Sequence, residues 1–557
     1  MIPKSQKEQK IPAETARIAK AAFPKGSIAI RVRDELGEIY EDEEFVEIYP
    51  SKGQPAASPA MLALVTVLQF MEGLTDRQAA DAVRSRIDWK YALGMELSDA
   101  GFDFSILSEY RGRLIEGQAE EKLLNRLLQA FQARGLLKAR SRQRTDSTYV
   151  LAAIRNLNRL ELVGETLRNA LNTLTLCIPD WVKSTVKSEW YERYGRRFDS
   201  MHHPTSGRAR DELAQQIGED GQYFLERIYA QDAPGGLSSI SAVETLRQVW
   251  LQQYYVKHTG GESALKLRQI KDLPPSHKRI QSPYDIQAQY ATHNDMDWIG
   301  YKVHITETCD EDASIHLITS SKTDLATQQD VEAPSAVHEA LKQKGLLPSS
   351  HLVDAGYIGA DVMVEAKQIY QIDLIGPATK SQDVSWQARE QTGFDASKFS
   401  INWEAKYVTC PRGKQSVKWV DNCKDRTNNA TIHVAFARQD CQACPARLLC
   451  TRSKTEGRNM QLRPQPQYEA LQHARAYQDT EAFKIAYRPR SGIEGTISQG
   501  VRAFQMRRTR YIGLAKTSLQ NIAIAAAINL SRFSDYLCDH HPVHQRISPF
   551  ATLAPAT

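Results

Sequence analysis

The alternation of strand-like and helix-like segments between residues 142 and 376 most strongly constrains how this chain can fold. Residues 142–150 combine β-branched and aromatic side chains, which is typical of a strand. Residues 298–306 and 314–320 are two further strand-like segments, separated by the polar turn 309–312. Two strands joined by a short polar turn predict an antiparallel hairpin.

Two shorter strand-like segments follow, at residues 350–353 and 370–376. A helical pattern precedes each of them, at residues 324–342 and 361–368. The order strand, helix, strand, helix, strand indicates a parallel half that follows the antiparallel half. The sequence therefore predicts an α/β fold with a mixed sheet.

The chain of 557 residues is too long for one ordinary hydrophobic core, so about two to four folded units are expected. Changes in composition and in hydrophobic periodicity along the chain predict where these units lie. They are a polar leader at 1–55, a helical domain at 56–135, an α/β domain at 136–535 with a helical insertion at about 155–290 and a cysteine-bearing insertion at about 380–478, and a polar tail at 536–557.

The predicted helical domain begins with two clear helix starts. Ser58 followed by Pro59 is typical of a helix N-terminus, and Thr75 with Gln78 forms a capping box for a second helix. Further helices are predicted near residues 105–115 and 120–134. A compact helical unit of this kind fits a DNA-binding domain of the helix-turn-helix type, and it fits a helical scaffold or dimerisation unit equally well.

Overall charge and hydropathy exclude little about partners. The formal net charge is +5, from 71 Lys and Arg against 66 Asp and Glu, which does not by itself argue for a polyanionic partner. No stretch is apolar for long enough to predict a membrane span. Residues 1–10 are polar and lysine-rich with no apolar segment behind them, so no secretory signal is predicted. We therefore expect a soluble cytosolic protein.

Three acidic residues stand out by their placement: Asp146 on the first strand, Asp354 at the end of a later strand, and Glu494 near the start of a C-terminal helix. In-line displacement at a phosphodiester uses two metal ions about 3.5–4 Å apart, held by carboxylates. Mg²⁺ prefers such hard oxygen ligands. Each residue also has a simpler explanation, as a turn former, a strand-end cap or a first-turn helix carboxylate.

The segment around Glu494 is strongly basic. Between residues 484 and 516, Glu494 is the only acid among eight basic residues. A basic field of this kind attracts phosphates, and arginines bind them bidentately. The alternative is a solvated basic helix face. The basic residues are Lys484, Arg488, Arg490, Arg502, Arg507, Arg508, Arg510 and Lys516.

Five of the eight cysteines lie within the 41 residues 410–450, and four of them are the first candidates for a metal site: Cys410, Cys441, Cys444 and Cys450. The Cys-x2-Cys spacing of the middle pair is common in zinc sites, and the other two would complete a tetrahedral sulfur site with a structural role. Cys423 is a spare candidate. The alternative is a set of free buried cysteines in a reducing cytosol.

Other polar residues carry less information. His304, His316 and His351 lie on strand-like segments, where a buried histidine with a hydrogen-bond partner is more common than a metal ligand. Four alternating basic residues just before the first strand fit either a DNA contact or a solvated linker: Lys138, Arg140, Arg142 and Arg144.

Several longer segments resemble a known family. Tyr487, Arg490 and Glu494 stand in the Tyr-x2-Arg-x3-Glu arrangement of insertion-sequence transposases with a DDE triad, the signature of the IS4 and IS5 type. The segment YRPRSGIEGTISQGVRAFQMRRTRYIGLAKTSLQ resembles the C-terminal signature of the IS1182 group. Colinear matches to that group are SPAMLALVTVLQFMEGLTDRQAADAV, TDSTYVLAAIRNLNRLELVGETLRNAL, WIGYKVHITETCD, HLVDAGYIGADV, CPRG and CQACPARLLC.

The resemblance, which spans roughly residues 25–535, implies a ribonuclease-H-like catalytic core. It implies that Asp146, Asp354 and Glu494 bind two Mg²⁺ or Mn²⁺ ions, and that Tyr487 and Arg490 orient DNA near the cleaved phosphate. The expected function is that of a DNA transposase. It would bind the terminal inverted repeats of its element as double-stranded DNA, cleave there, and transfer the strand to target DNA, with a homodimer in the synaptic complex.

One position departs from the family pattern, which places a basic residue seven positions after the glutamate, where this chain has Val501 followed by Arg502. The basic contact at that point is therefore in doubt. Two other functions remain open: a non-catalytic, domesticated DNA-binding relative, and a metal-dependent DNA nuclease on the same fold. Terminal inverted repeats flanking the coding region would favour the transposase.

Overall fold

The computed structural model describes residues 10–50, 52, 56–200, 203–204, 206–259, 262–293, 296–379, 385–426 and 428–538. Residues 1–9 of the predicted leader and residues 539–557 of the predicted tail lie outside the described residues. Among the described residues, no helix is both long enough and apolar enough to span a membrane.

The N-terminal region is helical, and two of its helices begin where the capping residues predict. The Ser58 hydroxyl accepts a hydrogen bond from the Met61 N–H at 3.1 Å, and Thr75 and Gln78 form the expected capping box. The helices are α1 (Ala13–Ala22), α2 (Ile28–Leu36), α3 (Pro59–Glu72), α4 (Asp76–Ser85), α5 (Ile87–Ala92), α6 (Ser105–Glu116) and α7 (Lys122–Ala133).

Residues 10–50 differ from the predicted polar leader. They form α1, α2 and a 3-10 helix at Asp42–Ile48. Val32, Leu36 and Phe45 are buried in the main hydrophobic core. The polar composition hides this role because only one face of each helix is apolar, while the charges lie on the outer faces.

β1 (Gln143–Leu151) is followed by the predicted helical insertion. It has its own hydrophobic core, in which Leu167, Ile217, Phe224 and Val249 are buried. It also contains a hairpin that the sequence analysis did not predict. Its elements are α8 (Arg159–Cys177), α9 (Pro179–Thr185), α10 (Ser188–Tyr194), α11 (Gly207–Ile228), α12 (Ser241–Gln253), β2 (Tyr254–Thr259) and β3 (Glu262–Leu267).

β1 lies inside a six-stranded mixed sheet. The other strands are β4 (Gln289–His293), β5 (Met296–Thr308), β6 (Ile318–Leu325), β7 (Ser350–Leu352) and β8 (Asp373–Ile375), and the helices between them are α13 (Ala333–Gln343) and α14 (Ala360–Tyr370). β5 pairs antiparallel with β4, β6 and β1. β7 pairs parallel with β1, and β8 pairs parallel with β7. The predicted order of an antiparallel half followed by a parallel half is confirmed.

The boundaries of some elements differ from the prediction. β6 begins at Ile318 instead of residue 314, and it continues through Asp324, which was expected to begin a helix. Asp324 remains in the strand because it pairs with Lys302 of β5 in the antiparallel ladder. Its carboxylate also contacts Lys322 on the same strand and His304 on β5, the latter at 3.3 Å. The helix therefore begins only at Ala333. β4 was not predicted.

The cysteine-bearing region forms a small core of its own, which contains Phe399, Val408, Val434, Phe436 and Leu462. Its elements are α15 (Trp386–Arg389), β9 (Ser400–Asn402), β10 (Tyr407–Thr409), β11 (Ser416–Lys424), β12 (Ala430–Phe436), α16 (Arg438–Gln442), α17 (Arg447–Cys450) and β13 (Asn459–Leu462). β11, β12 and β13 form an antiparallel sheet.

Four helices form the C-terminal region, and the last two of them close the main core. They are α18 (Gln465–Gln478), α19 (Glu481–Tyr487), α20 (Ile493–Phe504) and α21 (Leu514–Leu537). The middle of α21, residues 519–530, is buried on all sides between β6 and α3, so Leu62, Val303 and Ile528 belong to one hydrophobic cluster. The N-terminal helices therefore share their core with the sheet, whereas the sequence analysis treated 56–135 as a separate domain.

Candidate active site

Asp146 and Asp354 lie side by side because β1 and β7 are parallel neighbours. The register pairs Arg144 with Leu352. Asp146 is two residues beyond Arg144, and Asp354 is two residues beyond Leu352, so both aspartates lie at the same edge of the sheet. The Asp354 side chain also accepts a hydrogen bond from the Gly356 N–H at 2.8 Å, which fixes the turn after β7.

Glu494 reaches this edge from α20, which packs against β1. It lies in the first turn of the helix, where the helix dipole stabilises a negative charge. A 3-10 turn, Arg488–Gly492, connects α19 to α20 and carries Arg490. The site therefore combines two strands of the sheet with one C-terminal helix.

The Arg490 guanidinium group joins all three acids. Its Nη2 lies 2.9 Å from Oδ2 of Asp146 and 3.6 Å from Oδ2 of Asp354, and its Nη1 lies 3.4 Å from Oε1 of Glu494. The exposed fraction of the carboxylate side chains increases from 16% for Asp146 to 39% for Asp354 and 70% for Glu494. The structure thus brings together acids that are far apart in the sequence.

The surroundings of Asp146 shift the pKa of its carboxyl group. Burial raises its pKa to about 6, and the neighbouring carboxylates of Asp354 and Asp330 also raise it. The Arg490 charge and a hydrogen bond from the Ser147 N–H oppose this increase. A carboxyl group with this pKa exchanges its proton near neutral pH, which is a common property of functional sites.

Asp330 is a fourth acid at the site, and the sequence analysis missed it. Lys302 Nζ lies 2.8 Å from Oδ1 of Asp330, and the Ser147 hydroxyl donates to the same oxygen at 3.4 Å. The sequence contained no signal for this role, because residue 330 lay within a predicted helix. In the structure it follows the end of β6 and faces the turn of Gly356.

The donor chemistry of the site fits a hard divalent cation. Two aspartates and a glutamate offer the oxygen ligands that Mg²⁺ prefers. Among the residues that the structure describes, however, no group of three or more His, Cys, Asp and Glu side chains is arranged to hold a metal ion. At this site the Arg490 guanidinium lies between the carboxylates, so a bound cation would compete with it for the same oxygens.

The predicted DNA-contacting residues fall into two groups. Arg502 and Arg507 line an open cleft of about 340 Å³ together with Asp146 and Glu494. Val501, the position of the family departure, lines the same cleft beside Arg502. Tyr487 stacks on Phe483 with ring centroids 5.1 Å apart, and burial raises its pKa.

The remaining basic residues are not part of the cleft lining. Arg508 and Lys516 are exposed. Arg510 turns inward, because its Nη1 donates to the Leu74 carbonyl at 2.6 Å and its guanidinium lies over the Phe70 ring. This contact gives Arg510 a role in joining the C-terminal segment to α3.

The four clustered cysteines line one cavity of about 280 Å³. Burial raises the pKa of the Cys450 thiol to about 11, and the other three cysteines add to this effect while Arg458 opposes it. The Arg458 N–H donates to the Cys441 sulfur at 3.4 Å. The spare candidate Cys423 lies on β11, and its thiol faces the Val420 carbonyl. Within the described part of the chain, these cysteines do not form a group of three or more side chains arranged to hold a metal ion.

The histidines on strands are hydrogen-bonded core residues, as expected for His304 and His351. The two nitrogens of His351 lie 2.6 Å from the Thr145 hydroxyl and 2.8 Å from the His338 ring. His304 Nδ1 lies 2.6 Å from the Tyr357 hydroxyl. Burial lowers the pKa of both His338 on α13 and His351 on β7, so these two rings stay neutral where the helix packs on the sheet.

Two family models match parts of the chain. The model described as transposase DDE domain matches residues 409–534, and the model described as transposase domain (DUF772) matches residues 18–113. The first match includes Glu494, and the second includes much of the segment that had been predicted as a leader. Together they support an insertion-sequence transposase, and the DDE family typically uses divalent metal ions. No curated protein and no solved structure matches the chain.

Proposed function

We propose that this protein is a DNA transposase of the IS1182 group. It binds the double-stranded ends of its insertion sequence, cleaves them in a metal-dependent reaction, and joins them to target DNA. The observation that carries this proposal is the convergence of Asp146, Asp354 and Glu494 around the Arg490 guanidinium. The sheet, with its antiparallel half followed by a parallel half, supports a ribonuclease-H-like core.

The site residues have distinct roles in this reaction. Asp146, Asp354 and Glu494 hold the divalent ions, which supply charge neutralisation and an activated water when bound. Arg490 neutralises the carboxylates in the free protein, and it turns to a DNA phosphate when the substrate enters. Arg502 and Arg507 attract the phosphate backbone into the cleft.

Catalysis then depends on alignment and charge rather than on a covalent intermediate. Hydrolysis at the end of the element frees a 3′ hydroxyl, and the same site places this hydroxyl in line with a target phosphodiester. Tyr487, which packs beside Arg490, orients the DNA near the cleaved phosphate. We propose that two protomers bring two DNA ends together.

The test uses labelled DNA fragments that carry the repeats flanking the coding region, with Mg²⁺. We expect defined cleavage and joining by the wild-type protein. Asp146→Asn, Asp354→Asn and Glu494→Gln should abolish both while end binding is retained. Glu212→Gln is a matched control, because Glu212 is an exposed acid on α11 that pairs with Arg208.

The other outcomes separate the alternatives. Wild-type cleavage rates in an Asp146→Asn, Asp354→Asn or Glu494→Gln variant would refute the assignment of the acids. End binding without any cleavage would favour a non-catalytic relative. Cleavage without joining would favour a DNA nuclease on the same fold.

We also propose that the cysteine cavity binds a structural zinc ion. The support is that Cys410, Cys441, Cys444 and Cys450 line one cavity in a small core. Zinc needs thiolates, so binding releases protons, including the proton of Cys450, whose pKa burial raises. Metal analysis of the purified protein should find zinc, and replacing Cys444 with serine should remove it while Cys423→Ser should not. Absence of zinc from the wild-type protein would refute this proposal.

A further inference from the structure

Behind the acid site lies a cluster that we call the buried ion group. It consists of Glu307, Arg144 and Arg532, together with the hydroxyl of Thr496. Glu307 on β5 is fully buried and faces Arg144, its cross-strand partner on β1. Arg144 Nε and Nη2 lie 2.8 and 2.7 Å from Oε1 of Glu307. The other oxygen, Oε2, accepts from Arg532 of α21 at 2.8 Å and from the Thr496 hydroxyl at 2.6 Å. One carboxylate therefore joins β1, β5, α20 and α21.

The same group reaches the turn that carries Arg490. Arg144 Nη1 donates to the Pro489 carbonyl, one residue before Arg490. Arg142 Nη2 donates to the Ala486 carbonyl at 2.5 Å, near the end of α19. Cationic side chains at carbonyls near a helix C-terminus satisfy groups that lack helical partners. These arginines thus bind the protein's own backbone.

The geometry of β1 makes these contacts relevant to the acids. Arg142, Arg144 and Asp146 are two residues apart, so their side chains leave the same face of the strand. Along this face, Arg142 and Arg144 hold the segment 486–489, and Asp146 meets Arg490. On the other side of the turn, Thr496 is two residues after Glu494, and its hydroxyl donates a hydrogen bond to Glu307.

We propose that Arg144, Glu307, Arg532 and Thr496 are positioning residues that hold the turn of Arg490 and the helix of Glu494 in register with Asp146. This inference rests on the proposed function, since the register matters for metal and DNA binding at the acids. None of the four residues would touch DNA. They act by fixing where Arg490 and Glu494 stand relative to the sheet.

A matched pair of variants tests the proposal. Thr496→Val keeps the side-chain volume but removes the hydroxyl that bonds Glu307, whereas Thr496→Ser retains the hydroxyl. Because small misplacements of catalytic groups are costly, we expect Thr496→Val to lower the single-turnover cleavage rate by about 10- to 100-fold relative to Thr496→Ser. Affinity for DNA ends should be the same in both. Half-maximal cleavage should require more Mg²⁺ in the valine variant.

A buried threonine outside this group controls for the loss of a hydroxyl. Thr166 on α8 is fully buried, and its hydroxyl donates to the Leu162 carbonyl at 2.6 Å. Thr166→Val should leave both cleavage and its Mg²⁺ dependence unchanged. Equal cleavage rates in Thr496→Val and Thr496→Ser would overturn the proposal, as would an equal loss in Thr166→Val.

Hydrogen exchange separates this inference from the proposed function. In Thr496→Val and Glu307→Gln, amide exchange should become faster in residues 488–500 and stay unchanged in residues 159–177. If the wild-type protein cleaves no DNA, the proposed function fails, and exchange still decides whether the ion group holds the turn. Unchanged exchange in residues 488–500 would refute the positioning role irrespective of activity.

Discussion

Gly492 ends the turn that carries Arg490, and it lies against the guanidinium group of Arg144. The substitution Gly492→Ala therefore tests how rigidly the buried ion group is packed. The backbone at Gly492 is helical, with φ −64° and ψ −19°, so alanine fits the backbone itself. An added Cβ, however, would lie 2.6 Å from Cζ and 2.7 Å from Nη2 of Arg144. A contact of this length forces the guanidinium group to move.

Arg144 cannot move without losing bonds, because its guanidinium is tied to Glu307 and to the Pro489 carbonyl. Each hydrogen bond to a charged group contributes about 1.5–3 kcal/mol. Alanine recovers up to about 1 kcal/mol of helix propensity relative to glycine. With the loss of one or two such bonds, Gly492→Ala should lower the free energy of unfolding by about 2–4 kcal/mol.

Gly495→Ala is the matched control. It lies in the next turn of the same helical region, and an added Cβ would have no atom within 4 Å. This substitution should stabilise the protein by about 0.5–1 kcal/mol through helix propensity alone. Urea denaturation of both variants, followed by tryptophan fluorescence and circular dichroism, measures the difference. If Gly492→Ala unfolds at the same urea concentration as Gly495→Ala, the rigid packing of Arg144 is refuted.

Three further predictions concern single side chains. Asp146 has a pKa of about 6 in the folded protein against 3.8 ordinarily, so the folded state holds this proton more tightly than the unfolded chain. Relative to Asp146→Asn, wild-type stability should fall by up to about 3 kcal/mol as pH rises from about 4 to 6, and parallel pH profiles of the two proteins would contradict this. Tyr301→Phe should cost about 1.5–3 kcal/mol in urea denaturation, because the Tyr301 hydroxyl donates its proton to the buried Asp285 carboxylate, both of whose oxygens lie 2.7 Å away. Arg510→Gln should cost about 1–2 kcal/mol through its lost contact with α3, while the exposed Lys516→Gln stays within about 0.5 kcal/mol, and equal stabilities would exclude the inward role of Arg510.

Much of the local structure was predictable because its signals lie within a few residues. The caps at Ser58 and Thr75 marked their helices, and the β-branched run ending at Val150 marked β1. The polar turn after residue 308 marked the hairpin, although β6 begins later than expected. The prediction of a polar leader was wrong for residues 10–50, because their apolar residues occupy only one face of short helices. The average composition of such a segment is polar and does not reveal that face.

The site was only partly predictable. Asp146, Asp354 and Glu494 were candidates because of their placement and the family resemblance, and the basic segment was visible from composition. Asp330 and Glu307 carried no local signal, since an acid within a helical or strand pattern has many ordinary explanations. The sequence also could not separate Arg507, which lines the cleft, from Arg510, which packs on α3.

By itself, the sequence determined many but not all of the helices and strands, the mixed character of the sheet, and the acids and bases available for chemistry. Only the tertiary structure decided that three distant carboxylates meet at one arginine. It also decided that Arg142 and Arg144 donate hydrogen bonds to backbone carbonyls of the protein, instead of lying in a solvated linker or contacting DNA. The reason is physical: local patterns depend on neighbours three or four residues apart, whereas strand register and helix packing bring together side chains that no short pattern connects.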